Sequence, residues 1–460
     1  MAQIISNSRP TVNLKNFSAT VLLVVSLIEA SFAQSANPYA SQIKPEPPIN
    51  KGIVVLKAAR LIDGTGAPAT TNGVVVITDN EITAVGSAAS VNVPANAKII
   101  DLGNVTLLPG FIDAHTHLIG RVLGDPEGEM SRVKDFESFG AMLGVLHARD
   151  TLMAGFTSVR NVGAEGRFDD MALRKAINEG WIPGPRMETA GHAIGIRGGH
   201  CDDNGFRPGL IDPGIQDGVA DGPDQIRAAV RYQIKYGADV IKTCATGGVL
   251  SEGDAVGATQ YSFEELKALV EEANKLERKV AAHAHGTEGI KLATRAGVSS
   301  IEHGSFLDEE GARLMKERGT FLVPTLSAAE SVERAAKAGV LKGLRAEKAL
   351  AAAAAARHGI KIAVANGVQI ALGTDAGVVP HGANAHEFVL MVEWGGMSNM
   401  AAIMAGTSNA AKLLGWEKHV GTLQVGRWAD IVAVSGDPLA DIHIMQNVTF
   451  VMKNGIVYKQ

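Results

Sequence analysis

LLPGFIDAHTHL, residues 107–118, decides how this chain reads. An apolar run ends in two histidines, His115 and His117, spaced two apart. On a β-strand that spacing puts both on one face. Four further residues are set the same way, after an apolar run and before a small, loop-like segment. They are Lys242 in DVIKTCATGG, His283 in AAHAHG, His303 in SIEHGS and Asp375 in ALGTDAG. Short apolar runs bounded by turn residues read as buried strands. In an eight-stranded α/β barrel the C-terminal ends of such strands converge on one face, where active sites sit. Imidazole and carboxylate suit Zn, Mn, Fe or Co. The pattern predicts a metal-dependent hydrolase.

Outward from that stretch, strand-like and helix-like segments alternate. TSVRNVG, DVIKTCAT, VAAHAHG, SSIEHGS, TFLVPTL and QIALGTDAG read as strands. SFEELKALVEEANKLERK and EKALAAAAAARHGIKIAVANG read as helices, the second through its alanine run. Repeated strand-then-helix units imply parallel strands with right-handed crossovers. The expected fold class is α/β, a (β/α)8 TIM-like barrel over residues 109–419. Residues 53–108 and 420–460 instead show short β-like runs broken by turns, with a hairpin signal at KNG, 453–455. These two ends are expected to build one small β-sandwich domain.

The remaining N-terminal chain reads differently. Arg9 and Lys15 precede ATVLLVVSLIEA, and Ser31 and Ala33 offer small residues before Gln34. Residues 1–33 match a secretory signal peptide, and the apolar run is short for a membrane span. Residues 34–52 are a Pro-rich extended leader. A periplasmic or secreted protein follows, with no membrane contact after processing. A net charge of −5 without a basic cluster excludes a nucleic-acid footprint. The two cysteines argue against a disulfide framework. A single Cys201–Cys244 bridge fits the count, but Cys244, two residues past Lys242, is expected to pack as a small apolar residue.

The ordered motifs resemble the amidohydrolase superfamily over nearly the whole chain. They are LIDGTGAP, LLPGFIDAHTHL, the lone lysine, the two separated histidines, GTDAG and the closing GTLQVGRWADIVAVSGDP. ADVIKTCATGGVLS is similar to the branch of metal-dependent Xaa-Pro and Xaa-Arg/Lys dipeptidases and ochratoxin-cleaving amidohydrolases. The resemblance implies two divalent metal ions, with zinc expected, bridged by a carboxylated Lys242. It also implies homo-oligomers, octamers among them, and a dipeptide or other small-molecule substrate.

The residues support that ligand set on their own chemistry. His115 and His117 would share one metal. An ammonium has no lone pair, but a buried lysine beside cations loses its proton. The neutral amine can take up CO2 to give a bidentate carbamate. His283 and His303 would hold the second metal, and Asp375 would complete the set and move the proton of an activated water. His285 shares the face of His283 by the period of two, and His192 and His200 lie in a Gly-rich loop, GHAIGIRGGH. These three, with Arg197 as an alternative, are candidates for substrate contact. The resemblance implies the reaction: cleavage of an amide next to a free carboxylate, in dipeptides or in N-acyl amino acids such as ochratoxin-like N-acyl phenylalanines. Two rivals are a cyclic amidohydrolase of the imidazolonepropionase type, which Lys242 disfavours, and a non-catalytic metal-binding barrel, which the intact ligand set disfavours.

Overall fold

The computed structural model describes residues 51–164 and 166–460. The expected signal segment 1–33, and residues 34–50 of the leader, lie outside the described residues. Strands β1 (Ile53–Leu61), β2 (Thr70–Thr78) and β3 (Glu81–Ser87) form an antiparallel meander. Both β4 (Lys98–Asp101) and β5 (Val105–Pro109) run parallel to β1. The chain then enters two parallel sheets. The first holds β6 (Phe111–Thr116), β7 (Phe156–Asn161) and β8 (Arg186–Thr189). The second holds β9 (Val240–Cys244), β10 (Lys279–Ala284), β11 (Ser300–His303) and β12 (Phe321–Val323). Finally β13 (Ile431–Ser435), β14 (Val448–Lys453) and β15 (Ile456–Lys459) return to the first region, where β13 pairs antiparallel with β5.

Strands from both ends of the described chain therefore share one eight-stranded sheet. One small β-sandwich was expected from these two ends; their strands follow one hydrogen-bonded path, and the β2–β3 turn bonds back to the chain before β13, Ala429 N donating to Asn80 O at 2.8 Å. GVVVI of β2 is a continuous apolar run rather than an alternating one, and both of its faces are covered. Val74 and Val76 pack with Val55 on one face. Val75 and Ile77 pack with Leu56, Leu107, Ile431 and Phe450 on the other. A strand covered on both faces needs no polar alternation. The KNG signal is a hairpin turn: Lys453 pairs with Ile456, and Asn454 and Gly455 both take positive φ.

Helices separate the central strands, so the parallel order follows from the sequence alternation. The two helices expected from periodicity and alanine content span Phe263–Lys275 and Gly343–Asn366. A capping box starts the first: Ser262 accepts from the Glu265 backbone while Glu265 returns to the Ser262 N–H. Phe111, Phe156 and Phe388 meet edge to face or offset beneath the strands, sealing the sheet interior.

The segment QIALGTDAG, expected as a strand, makes only isolated bridges at Ile370 and Ala376. It nonetheless bonds to the outer edges of both parallel sheets. Leu322 N donates to Gln369 O at 2.9 Å on one side; on the other, Asp375 N donates to His115 O at 2.8 Å and His117 N to Ala376 O at 2.7 Å. Two features break its regular pairing. Asp375 is left-handed at φ 60°. A Cβ at Gly373 would collide with Val323 and His115, so only glycine lets this backbone pass so close. Backbone bonds also join β8 to β9: Asp239 N to Thr189 O at 2.8 Å and Ile194 N to Lys242 O at 2.8 Å.

Candidate metal centre

The ends of β6, β9, β10, β11 and the 369–377 segment bring the six candidate ligands together. His115, His117 and Asp375 offer ligand atoms within 4.8 Å of one another. The Asp375 Oδ1 lies 3.5 Å from His115 Nε2 and 3.3 Å from His117 Nε2. A second group is His283, His285 and His303, again within 4.8 Å. The Lys242 Nζ stands 3.4 Å from His115 Nε2. The two groups adjoin, since the rings of His115 and His303 are 5.0 Å apart.

Backbone geometry explains how loop-end residues converge. His303, Thr325 and Asp375 all take left-handed conformations although none is glycine. Such strain is characteristic of sites where the surrounding fold holds a residue in place. Successive strand residues normally point to opposite faces. The turn at His303 lets Glu302 and His303 both reach His115. The Glu302 Oε2 accepts from His115 Nδ1 at 2.8 Å, and the ring of His303 packs against the same histidine.

Each of four histidines has its Nδ1 occupied by a protein partner. His115 meets Glu302, His117 meets Gly163 O at 3.1 Å, His285 meets Ser305 Oγ at 2.8 Å, and His303 meets Thr325 Oγ1 at 2.7 Å. The carboxylate and carbonyl partners fix Nδ1–H on His115 and His117 and leave Nε2 as the lone pair, the usual preparation of a metal ligand, and the hydroxyls beside His285 and His303 are able to accept in the same way. His283 Nε2 is buried with no hydrogen-bond partner. An orphaned buried nitrogen beside two other imidazoles fits a metal ion, because it costs free energy unless something occupies it.

Burial sets the charge states. It pushes His115 down to about 4 and His285 to about 3, and holds His283 and His303 well below the usual imidazole range. The imidazoles are therefore neutral lone-pair donors. Burial likewise lowers Lys242 to about 8, which favours the neutral amine that carbamate formation needs. Burial would raise Asp375, but His115 and His117 outweigh it and keep the carboxylate ionised.

The sequence reading missed the residues behind the ligands. Arg160 is buried in β7 and donates to Ala114 O at 2.7 Å, Ser300 Oγ at 3.1 Å and Glu302 Oε1 at 2.8 Å. Asp113 binds Thr374 Oγ1 at 2.6 Å, Asn384 Nδ2 at 2.7 Å and the His115 N–H at 3.0 Å, stapling β6 to the 369–377 segment. The available signal was a charged residue inside an otherwise apolar strand, as in SVRNV and SIEHG.

The three candidate substrate-contact histidines divide. His285 belongs to the second histidine group, where only two histidines were expected. His200 stacks near that group, 4.2 Å from the His283 ring. His192 packs against Phe168, and its N–H bonds to Gln233 rather than to any ligand residue. Arg197 is paired with Asp212 and Asp221. Cys244 does not pack as a free apolar residue: it is disulfide-bonded to Cys201. The third-strand loop crosses over the end of β9, where Cys244 N donates to Ile194 O at 3.0 Å, and this brings the two sulfurs together.

Residues 106–457 match the amidohydrolase family. The ochratoxinase of Aspergillus niger is 36% identical over 428 residues, covering 88% of this chain and 87% of that one. Its crystal structure superposes with a TM-score of 0.77 at 34% identity, over 89% of this chain and 96% of that one. A crystal structure of a Xaa-Pro dipeptidase with methionine bound in its active site gives a TM-score of 0.84 at 39% identity, over 89% of this chain and all of that one. The imidazolonepropionase of Idiomarina loihiensis is 24% identical over 412 residues, 84% of this chain and 91% of that one.

Proposed function

The chain belongs to the amidohydrolase family and is a metal-dependent hydrolase of amide bonds, and on that premise we propose that it cleaves N-acyl amino acids and dipeptides bearing a free carboxylate. Ochratoxin-like N-acyl phenylalanines and Xaa-Pro dipeptides are the leading substrates. The observation that carries this reading is the pair of adjoining ligand groups with Lys242 beside them. His115, His117 and Asp375 would hold one divalent ion and His283 and His303 the other, with Lys242 as the bridging carbamate and zinc the expected metal. The bound ions would supply an activated water near neutral pH and polarise the scissile carbonyl.

The chain's own groups do the rest. Asp375 accepts a proton from the attacking water and hands it to the leaving amine nitrogen. Glu302, charge-balanced by Arg160, fixes His115 and prevents it from rotating. Val249 and Leu250, which follow the Lys242 strand, cluster with Leu123, Val332, Leu341 and Val378, and in this reading they would favour a bulky apolar substrate half. The eight segments β6 to β12 and 369–377 act in this reading as a (β/α)8 ring, with the mixed terminal sheet as a second domain. An exported chain processed near Gln34, assembling as a homo-oligomer, completes it.

The test is hydrolysis by the purified, metal-loaded chain of N-acyl-L-phenylalanine against its C-terminal amide. Blocking the carboxylate is expected to lower kcat/KM by at least about tenfold, roughly 1.4 kcal/mol of transition-state binding. Equal rates would reject carboxylate recognition and favour a cyclic-amide substrate.

A further inference from the structure

Behind His200 lies a chain of polar groups that the metal ligands do not use. His200 Nδ1 is 2.9 Å from Ser251 Oγ. Ser251 Oγ is in turn 2.7 Å from Asp254 Oδ1 and 3.4 Å from Gly248 O. Asp254 receives Lys348 Nζ at 3.0 Å and Gln260 Nε2 at 3.0 Å. Lys348 is a buried lysine on the long helix Gly343–Asn366, and it also donates to Ser251 O at 2.7 Å. Gln260 closes the loop by accepting from the His200 N–H at 3.1 Å. The His200 ring itself lies 4.2 Å from that of His283, tilted 31° to it.

The direction of the protons follows from these partners. A carboxylate paired with a buried ammonium accepts and does not donate, and a carbonyl oxygen does the same. Both other neighbours of Ser251 Oγ are thus acceptors, so its hydroxyl proton points at one of them. The hydroxyl oxygen can then only accept from His200, which must carry its proton on Nδ1. The opposite ring nitrogen is left bare. We propose that Asp254, seated on Lys348, acts through Ser251 as a positioning residue that holds His200 as the Nδ1–H tautomer and presents Nε2 to the substrate as a hydrogen-bond acceptor.

The inference rests on the amide-hydrolase reading and sharpens its substrate side. An acceptor cannot hold a carboxylate. The substrate group facing His200 is therefore a donor, such as an ammonium, an amide N–H or a phenol, and the free carboxylate is held elsewhere. The position is closely built. A Cβ on Gly248 would strike the His200 ring, so the Gly247–Gly248 backbone passes flush against the imidazole. The neighbouring Cys201–Cys244 bond ties the residue after His200 to the end of β9.

The experiment combines a spectroscopic and a kinetic reading on the full metal-loaded chain. The histidine ring nitrogens are labelled with 15N, and His200 is assigned by the signal lost in His200→Gln. Its ring shifts are expected to report Nδ1–H, and Ser251→Ala, which keeps the Asp254–Lys348 pair, is expected to release the ring to a mixture of tautomers. Ser251→Ala and Asp254→Asn are each expected to retain the metal content of the unmodified chain while lowering kcat/KM by about 10–100-fold, the usual cost of removing a supporting partner. Rescue by Ser251→Thr would mark the hydroxyl as the operative group. An Nε2–H tautomer in the unmodified chain overturns the proposal, and so do unchanged ring shifts in Ser251→Ala. Absence of any amide hydrolysis with an Nδ1–H signal intact would instead reject the functional reading and leave the tautomer standing.

Discussion

The two ligand groups at the strand ends are built from the same residue type but prepared differently. His115, His117 and Asp375 include a carboxylate, and His115 is tied to the buried Glu302–Arg160 ion pair. His283, His285 and His303 are all imidazole, backed by the hydroxyls of Ser305 and Thr325, with His283 Nε2 unpartnered. The first group has charge of its own to offer a cation. The second is neutral, and a cation held there would need a shared anion for the same purpose. A carbamate on Lys242 is the one group among the candidates that would supply it. The contrast teaches that a pair of metal positions need not be equivalent simply because both are rich in histidine.

Asp375→Asn breaks the comparison most severely, because it removes the only carboxylate in either group. It is expected to lower kcat by about 10²–10⁴-fold in steady-state assays. A loss of only a few-fold would move the proton transfer elsewhere, with His285 next in line.

The supporting partners should differ in the same direction. Glu302→Gln leaves Arg160 buried without its counter-charge, which costs about 3–5 kcal/mol in stability by denaturant unfolding. Thr325→Val removes only a neutral hydroxyl from His303. It should weaken metal binding about 10–100-fold with a much smaller loss of fold stability. If the two variants unfold alike, the charged support of the first group is not what distinguishes it.

Chelation sharpens the contrast further. Titrating the loaded chain with a chelator is expected to remove one ion before the other, the first from the all-histidine group. Reloading the stripped chain is expected to require bicarbonate, since the proposed carbamate on Lys242 would form from CO2. Loss of both ions in one step, or full reloading in CO2-free buffer, would contradict the asymmetry and the bridge respectively. The smallest effect should come from the disulfide. Cys201→Ser with Cys244→Ser frees the His200 loop, so KM is expected to rise while the metal content, measured by mass spectrometry, holds. Falling metal content would show that the bridge supports the ligands themselves.

The linear order of apolar runs and polar ends carried much of this in advance. His115, His117, Lys242, His283 and His303 each stand within two residues of the end of a buried strand, Asp375 closes a strand-like segment, and such features are local ones that a sequence displays. The strand–helix alternation, the alanine-rich helix and the KNG hairpin were legible for the same reason. Contacts between distant residues were not. Glu302 reaches His115 across 187 positions, and the next residue, His303, turns to the same histidine from a left-handed backbone. The Cys201–Cys244 bond, the relay from Lys348 to His200, the placement of His192 against Phe168 and the admission of His285 to the second histidine group all depend on how loops cross one another. Local propensity and periodicity act over a few residues and are written along the chain. The pairing of buried polar groups is settled by desolvation, which punishes every unpartnered charge and is decided only when the loops have come together.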